Sequence, residues 1–293
     1  MMSEAILASH EIERFVIDSK HAEFQYEVLL GGMPEGIPSE GPLPLLVVLD
    51  GYLMGLTTIE TARLMGAVGE VEPFVIAAVS PAGGFAVGNT RRLLDFSARS
   101  DAPEEDPMFQ TLLPRFEEMG IDPKDAVGGS DNFRRFLVDE LLPVVEKKVS
   151  IARDRLGILG HSAGGSVLLE TLLKADTPFS EYIIGEAGTF LMFGTEFDLL
   201  DKALELEAVP ARKAIYADSS DTMDAVGHLF KTDELLERIE KELGVEMKVD
   251  RYQGETHTTM LPLFIKDGLL LSLIHISEPT RPLYISYAVF CLK

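Results

Sequence analysis

Arg155-Leu156-Gly157-Ile158-Leu159-Gly160-His161-Ser162-Ala163-Gly164-Gly165-Ser166-Val167-Leu168-Leu169-Glu170 decides the fold. Its first part, RLGIL, is a short apolar run ending at Leu159, and the continuation SVLLETLLK repeats apolar residues at helical spacing from Val167 to Leu173. The stretch therefore predicts strand, sharp turn, helix. On a G-x-S-x-G turn of this kind the serine adopts a strained backbone. Gly160 and Gly164, two residues to either side, let strand and helix approach without Cβ clashes. The following helix directs N–H groups and the positive end of its dipole at the serine, so an oxyanion forming there is stabilised. The Ala163 amide is the first expected donor, and Ser162 the expected nucleophile.

Working outward, two alternating segments near Glu13–Ile17 and Phe24–Leu30 read as antiparallel strands. PLLVVLDG and PFVIAAVS are apolar throughout, as suits strands buried on both faces of a parallel sheet. A helical pattern at Thr57–Val68 lies between them. A segment rich in Pro, Asp and Glu runs from Ala98 to Gly129. After Asp131, read as an N-cap, apolar residues from Phe133 to Val145 recur at helical spacing, with Pro143 expected to bend the helix. Beyond the elbow, EYIIGEAG, KAIYAD and MKVDRYQG read as strands, with a helix at Asp233–Leu243 before the last. The alternation predicts an α/β fold, a mainly parallel sheet with helices on both faces and antiparallel N-terminal strands. In such sheets the residues just after strand C-termini gather along one edge and form the site.

The chain has 293 residues, 46% of them hydrophobic, which fits one large domain, assigned to 1–270. A net charge of −22 opposes binding to nucleic acid or anionic membranes. The N-terminus lacks the features of a secretory signal and no run is long enough to span a membrane, so a soluble cytoplasmic protein is expected. From about Leu271 to Lys293 the composition changes abruptly. LSLIHISEPTR and ISYAVFCL read as translated DNA-sequencing adapters, so 271–293 is expected to be non-native and is set aside from the fold. That segment holds the single cysteine, Cys291, which leaves no thiol for disulfides or cysteine catalysis.

A serine nucleophile needs a base to take its proton and an acid to orient that base. His257, in YQGETHTTM directly after the last predicted strand, is the expected base, whereas His228, His10 and His21 read as surface residues. His161 is expected to pack under the elbow, because neighbours on a sharp turn point apart. The acid is sought after KAIYAD: Asp221 first, Asp218 as the alternative, with Asp224 also in reach. A second oxyanion donor is expected from the Tyr52 amide, after the tight turn that Gly51 allows. Asp50 would hold that loop or take a direct part in the site, and the residues alone do not separate the two. Arg92 is a candidate substrate-binding cation with Arg91 and Asp95 beside it, although an ion pair accounts equally well for these charges. No spacing resembles HExxH and no ligand cluster is evident, so neither metal nor cofactor is expected.

The pieces VVLDGY, NTRRLLDFSA, GGSDNFRRFLVDELLPVVEKK, RLGILGHSAGG and YQGETH together resemble the putative esterase family of α/β-hydrolases, over roughly Ile12 to Leu270. Within it the chain is most similar to the bacterial branch resembling the trilactone siderophore esterases. The resemblance implies the α/β-hydrolase fold and ester hydrolysis through an acyl-enzyme on Ser162, with His257 and an acid such as Asp221. Two departures stand out. Members often carry Glu where Asp221 stands, with glycine where Asp218 stands. They also often carry Ser-Pro-Ser where this chain has Gly185-Glu186-Ala187-Gly188-Thr189, so the leaving-group side of the pocket differs. The expected substrate is a small ester, siderophore-like or otherwise. An acyltransferase or thioesterase would use the same elbow, and a non-catalytic binding protein the same fold. Oligomeric state is left open.

Overall fold

A computed structural model describes residues 11–32, 41–98, 110, 113–114, 117–118, 120, 122, 126–187, 189–192, 194–206, 213–219 and 232–271. The expected non-native segment 271–293 lies outside them except for Leu271, which closes the last helix, and most of the acidic stretch 98–129 lies outside them too.

Eight strands form one sheet in the order β1-β2-β4-β3-β5-β6-β7-β8. β1 (Glu13–Ser19) and β2 (Phe24–Gly32) pair antiparallel, as their alternating patterns predict, and β2 is antiparallel to β4 (Val75–Pro81). The remaining strands, β3 (Leu43–Val48), β5 (Ile151–His161), β6 (Glu181–Gly185), β7 (Lys213–Ser219) and β8 (Glu246–Tyr252), run parallel to β4. This is the α/β-hydrolase architecture. Successive residues of β3 divide between two apolar layers. Leu45 and Val47 pack with the helices on one face, and Leu46 and Val48 with those on the other. That two-sided burial is why β3 and β4 read as continuous apolar runs.

Helix α1 (Gly51–Ala67) begins six residues before the pattern predicted, directly on the end of β3. α2 (Phe85–Asp95), whose residues the sequence reading did not assign to a helix, follows β4. The helix expected after Asp131 is present as α3 (Ser130–Arg135), a π segment at Phe136–Leu141 and α4 (Leu142–Glu146). It starts at Ser130, so Asp131 sits in its first turn and is not the N-cap. The run is helical without a break from Ser130 to Glu146, and its π segment lies directly before the turn that holds Pro143, the second residue of α4. α5 (Ala163–Lys174), α6 (Glu196–Glu205), α7 (Thr232–Leu243) and α8 (Leu261–Leu271) complete the layers, α5 being buried along almost its whole length.

The elbow shows why glycine stands where it does. A Cβ on Gly160 would lie 2.6 Å from the Gly164 carbonyl oxygen, and one on Gly165 would lie 2.8 Å from both the Gly185 oxygen and the Ala187 Cβ. On Gly164 the nearest atom would be Asp50 Oδ2, at 3.3 Å. Strand and helix therefore close upon Gly160 and Gly165, and Gly164 of the pentapeptide is the less crowded of the two glycines flanking the serine.

Candidate active site

Three strand ends at the carboxyl edge carry non-glycine residues with positive φ: Asp50 after β3 (φ 50°), Ser162 after β5 (φ 59°) and Glu186 after β6 (φ 41°). Such conformations persist only where the surroundings over-determine them, and they concentrate at functional sites. Ser162, with ψ −121°, is the N-cap of α5, and its backbone N–H donates to the Gly185 oxygen at 2.8 Å. Ala163 opens α5 and Tyr52 is the second residue of α1, so both proposed oxyanion donors stand in first helical turns, where amides point out of the helix end.

His257 follows β8, with 46% of its side chain exposed. Its Nδ1 is 2.8 Å from Glu186 Oε2, and the Glu186 side chain is only 4% exposed. The Glu186 backbone N–H donates to Ala217 O at 2.6 Å, which ties the end of β6 to β7. Gly185 thus holds the serine backbone while the next residue holds the imidazole. The His257 Nε2 is the ring nitrogen turned away from the carboxylate.

Asp218, the alternative acid of the sequence reading, is placed elsewhere. It is directly opposite Arg251 in the β7–β8 register, and the guanidinium donates to it at 2.7 and 3.0 Å. Its side chain is fully buried against Arg251, and burial raises its pKa despite that partner. This carboxylate is thus gripped bidentately by its cross-strand neighbour, and the one in contact with the His257 imidazole is another. Asp221, Asp224 and His228 lie outside the described residues. The carboxylate that meets His257 is Glu186; it directly follows an apolar strand and stands between Ser162 and His257 in chain order, signals that do not single it out from Asp218.

His161 is buried, as expected, but it packs against the site as well as beneath the elbow. Its ring centroid lies 4.5 Å from that of His257 and 6.2 Å from that of Phe264. Burial lowers its pKa from the ordinary imidazole value. His161 Nε2 lies 3.8 Å from Glu186 Oε2. His161, Glu186 and His257 are a group of three potential metal ligands.

The arginines near the elbow are committed to ion pairs. Arg92 Nη2 donates to Asp50 Oδ2 at 2.7 Å, which fixes the loop between β3 and α1 and is the ion-pair reading of that residue. Burial raises the Asp50 pKa, and Arg92 opposes the rise. Arg91 donates to Asp95 at 2.8 Å, and the Tyr26 hydroxyl donates to the same carboxylate at 2.8 Å. Burial pushes Asp95 up to about 6 from an ordinary 3.8. The fold thus favours its protonated form. The associated stability is fully present below about pH 4 and lost as pH rises through 6, about 3 kcal/mol in all. The stability of the wild type minus that of Asp95→Asn, from urea unfolding, is expected to fall by about that amount between pH 4 and 7; a flat difference would show that the carboxyl titrates normally.

A cleft of about 450 Å³ borders Tyr52 and is lined by Gly83, Gly84 and Phe85, with Arg14 and Glu27 at its other side. The Phe85 ring meets that of Tyr52 edge-on at 5.6 Å and is 60% exposed. Among the described residues no helix is long and apolar enough to cross a membrane.

Comparison with known proteins agrees with this architecture. Residues 120–184, which contain the elbow, match the model of the family described as putative esterase. The chain is 25% identical over 266 residues to the ferri-bacillibactin esterase BesA of Bacillus subtilis, covering 88% of each chain. The crystal structure of the BES protein from Bacillus cereus superposes with a TM-score of 0.70 at 20% identity, over 94% of this chain and 97% of that one. The siderophore hydrolase EstA from Aspergillus nidulans gives a TM-score of 0.71 at 19% identity, over 90% and 94%.

Proposed function

We propose that this chain is a carboxylic ester hydrolase of the putative esterase family of α/β-hydrolases and works through a Ser162-His257-Glu186 triad and an acyl-enzyme. The observation that carries the reading is the 2.8 Å contact between His257 Nδ1 and the buried Glu186 carboxylate, together with the strained elbow at Ser162, whose neighbour His161 packs with its ring centroid 4.5 Å from that of His257.

In this mechanism the Glu186 carboxylate accepts a hydrogen bond from the His257 Nδ1–H, which keeps the ring proton on Nδ1 and leaves Nε2 unprotonated and able to take the Ser162 proton. The serine Oγ forms a bond to the ester carbonyl carbon, and the imidazolium returns its proton to the departing alkoxide. Water, deprotonated by the same imidazole, then releases the acid and restores Ser162. The Ala163 and Tyr52 amides would stabilise the oxyanion in both steps, each donor of this kind being worth on the order of a hundredfold in rate. The site uses the half-exposed edge of His257 as its entrance, and the cleft beside Tyr52 and Phe85 suits one arm of a substrate.

For the substrate, similarity to a ferri-bacillibactin esterase, together with the sequence resemblance to the trilactone siderophore esterases, favours trilactone siderophore-type esters. Two measurements test this. A fluorophosphonate probe is expected to label the folded chain stoichiometrically at Ser162, and absence of labelling would remove the serine mechanism. Across a panel of catecholate trilactones, aryl esters and alkyl esters of graded length, the highest kcat/KM is expected for the trilactones. A preference for long acyl esters would overturn that assignment while leaving the triad standing.

A further inference from the structure

We infer that His161, Glu186 and His257 form an inhibitory site for a divalent transition-metal ion, Zn2+ above all, which switches the hydrolase off by capturing its base. One potential ligand atom from each of the three residues lies within 4.8 Å of the others. Two of the edges are 2.8 Å, from His257 Nδ1 to Glu186 Oε2, and 3.8 Å, from His161 Nε2 to the same oxygen. Ligands around tetrahedral zinc stand about 3.3 Å apart, given metal–ligand distances of about 2.0–2.1 Å. The observed edges bracket that value, so small side-chain shifts bring all three atoms onto one ion and leave a fourth position for water. Two imidazoles and a carboxylate are also a donor set that zinc prefers over the hard cations.

An independent observation points to a ligand here. His161 Nε2 is buried, on a side chain only 8% exposed, and has no hydrogen-bond partner among the described residues. A buried ring nitrogen without a partner is unfavourable. The residue is not needed to orient His257, which already has Glu186. A bound cation would satisfy His161 Nε2, and the exposed face of His257 offers the way in.

The consequence rests on the triad reading. A metal on Nδ1 of neutral His257 forces the ring proton onto Nε2, the nitrogen that must accept the serine proton. The same ion displaces the hydrogen bond to Glu186. The imidazole is then locked in the unproductive tautomer, and removing the metal restores it.

Calorimetric titration of the chelator-treated chain with ZnCl2 tests the site without reference to turnover. One ion is expected to bind, with affinity unchanged in Ser162→Ala and weakened at least ~10-fold in His161→Gln. Co2+ on the wild-type chain is expected to give the intense visible bands of a low-coordinate, histidine-ligated ion, a readout that needs no variant to fold. Ester hydrolysis by the wild type is expected to fall with zinc occupancy and recover on chelation. The zinc concentration that halves the residual activity of His161→Gln is expected to rise in step with its lost affinity. Absence of binding, weak octahedral Co2+ bands, or zinc affinity indifferent to His161→Gln would each overturn the proposal. Should Ser162→Ala keep full turnover while zinc still binds as expected, the triad reading alone would fall.

Discussion

Replacing Ser162 with alanine is expected to lower kcat by about a million-fold, because the group that forms the acyl bond is gone and only binding and the oxyanion donors remain. KM should change little, since the hydroxyl contributes to the transition state and little to ground-state binding. Turnover of an aryl ester by active-site-titrated protein checks this, and retention of even a hundredth of wild-type kcat would remove Ser162 from the chemistry. Ser162→Gly makes the companion case. At φ 59° and ψ −121° a side chain is strained and glycine is not. The glycine variant should be as inactive as the alanine one, yet more stable than wild type by about 1 kcal/mol in urea unfolding. Loss of activity with a gain in stability is what strain held for function predicts, and a destabilised glycine variant would show that the elbow is relaxed.

Glu186→Gln should lower kcat by about 10⁴-fold while the fold stays intact. The amide can donate to Nδ1 where the carboxylate accepted from it, so the proton moves to Nε2 and the base is blocked. Asp218→Asn should leave kcat near wild type. It removes a charge from the Arg251 pair, and because Arg251 is 41% exposed and can turn to water, the penalty should be about 1–2 kcal/mol of stability. Parallel kcat measurements of the two variants separate the carboxylates. If Asp218→Asn, or Asp221→Asn, is the variant that loses four orders of magnitude, Glu186 is not the acid.

The elbow and the strands were legible because their signals are local. Gly160, Ser162 and the apolar runs around them state a strand-turn-helix unit within sixteen residues, and burial of β3 on both faces leaves a run without polar alternation. His257 was legible for a related reason: it follows a strand in a chain order shared with Ser162. α2 went unassigned because its apolar positions are interrupted by Asn89, Thr90, Arg91 and Arg92, whose partners, Asp50 and Asp95 among them, make sense of those charges only once the chain is folded.

The carboxylate that meets His257 could not be chosen along the chain. Glu186 directly follows β6 and Asp218 is the last residue but one of β7, each stands between Ser162 and His257, and nothing near either residue separates them. What separates them is register. β8 sets Arg251 opposite Asp218 and so occupies that carboxylate, while the positive φ at Glu186 turns the other toward the imidazole. Residue types and their order pointed to the serine elbow and to a histidine beyond the last strand; which carboxylate meets that histidine depended on how neighbouring strands align, a long-range property that no short window of residues encodes.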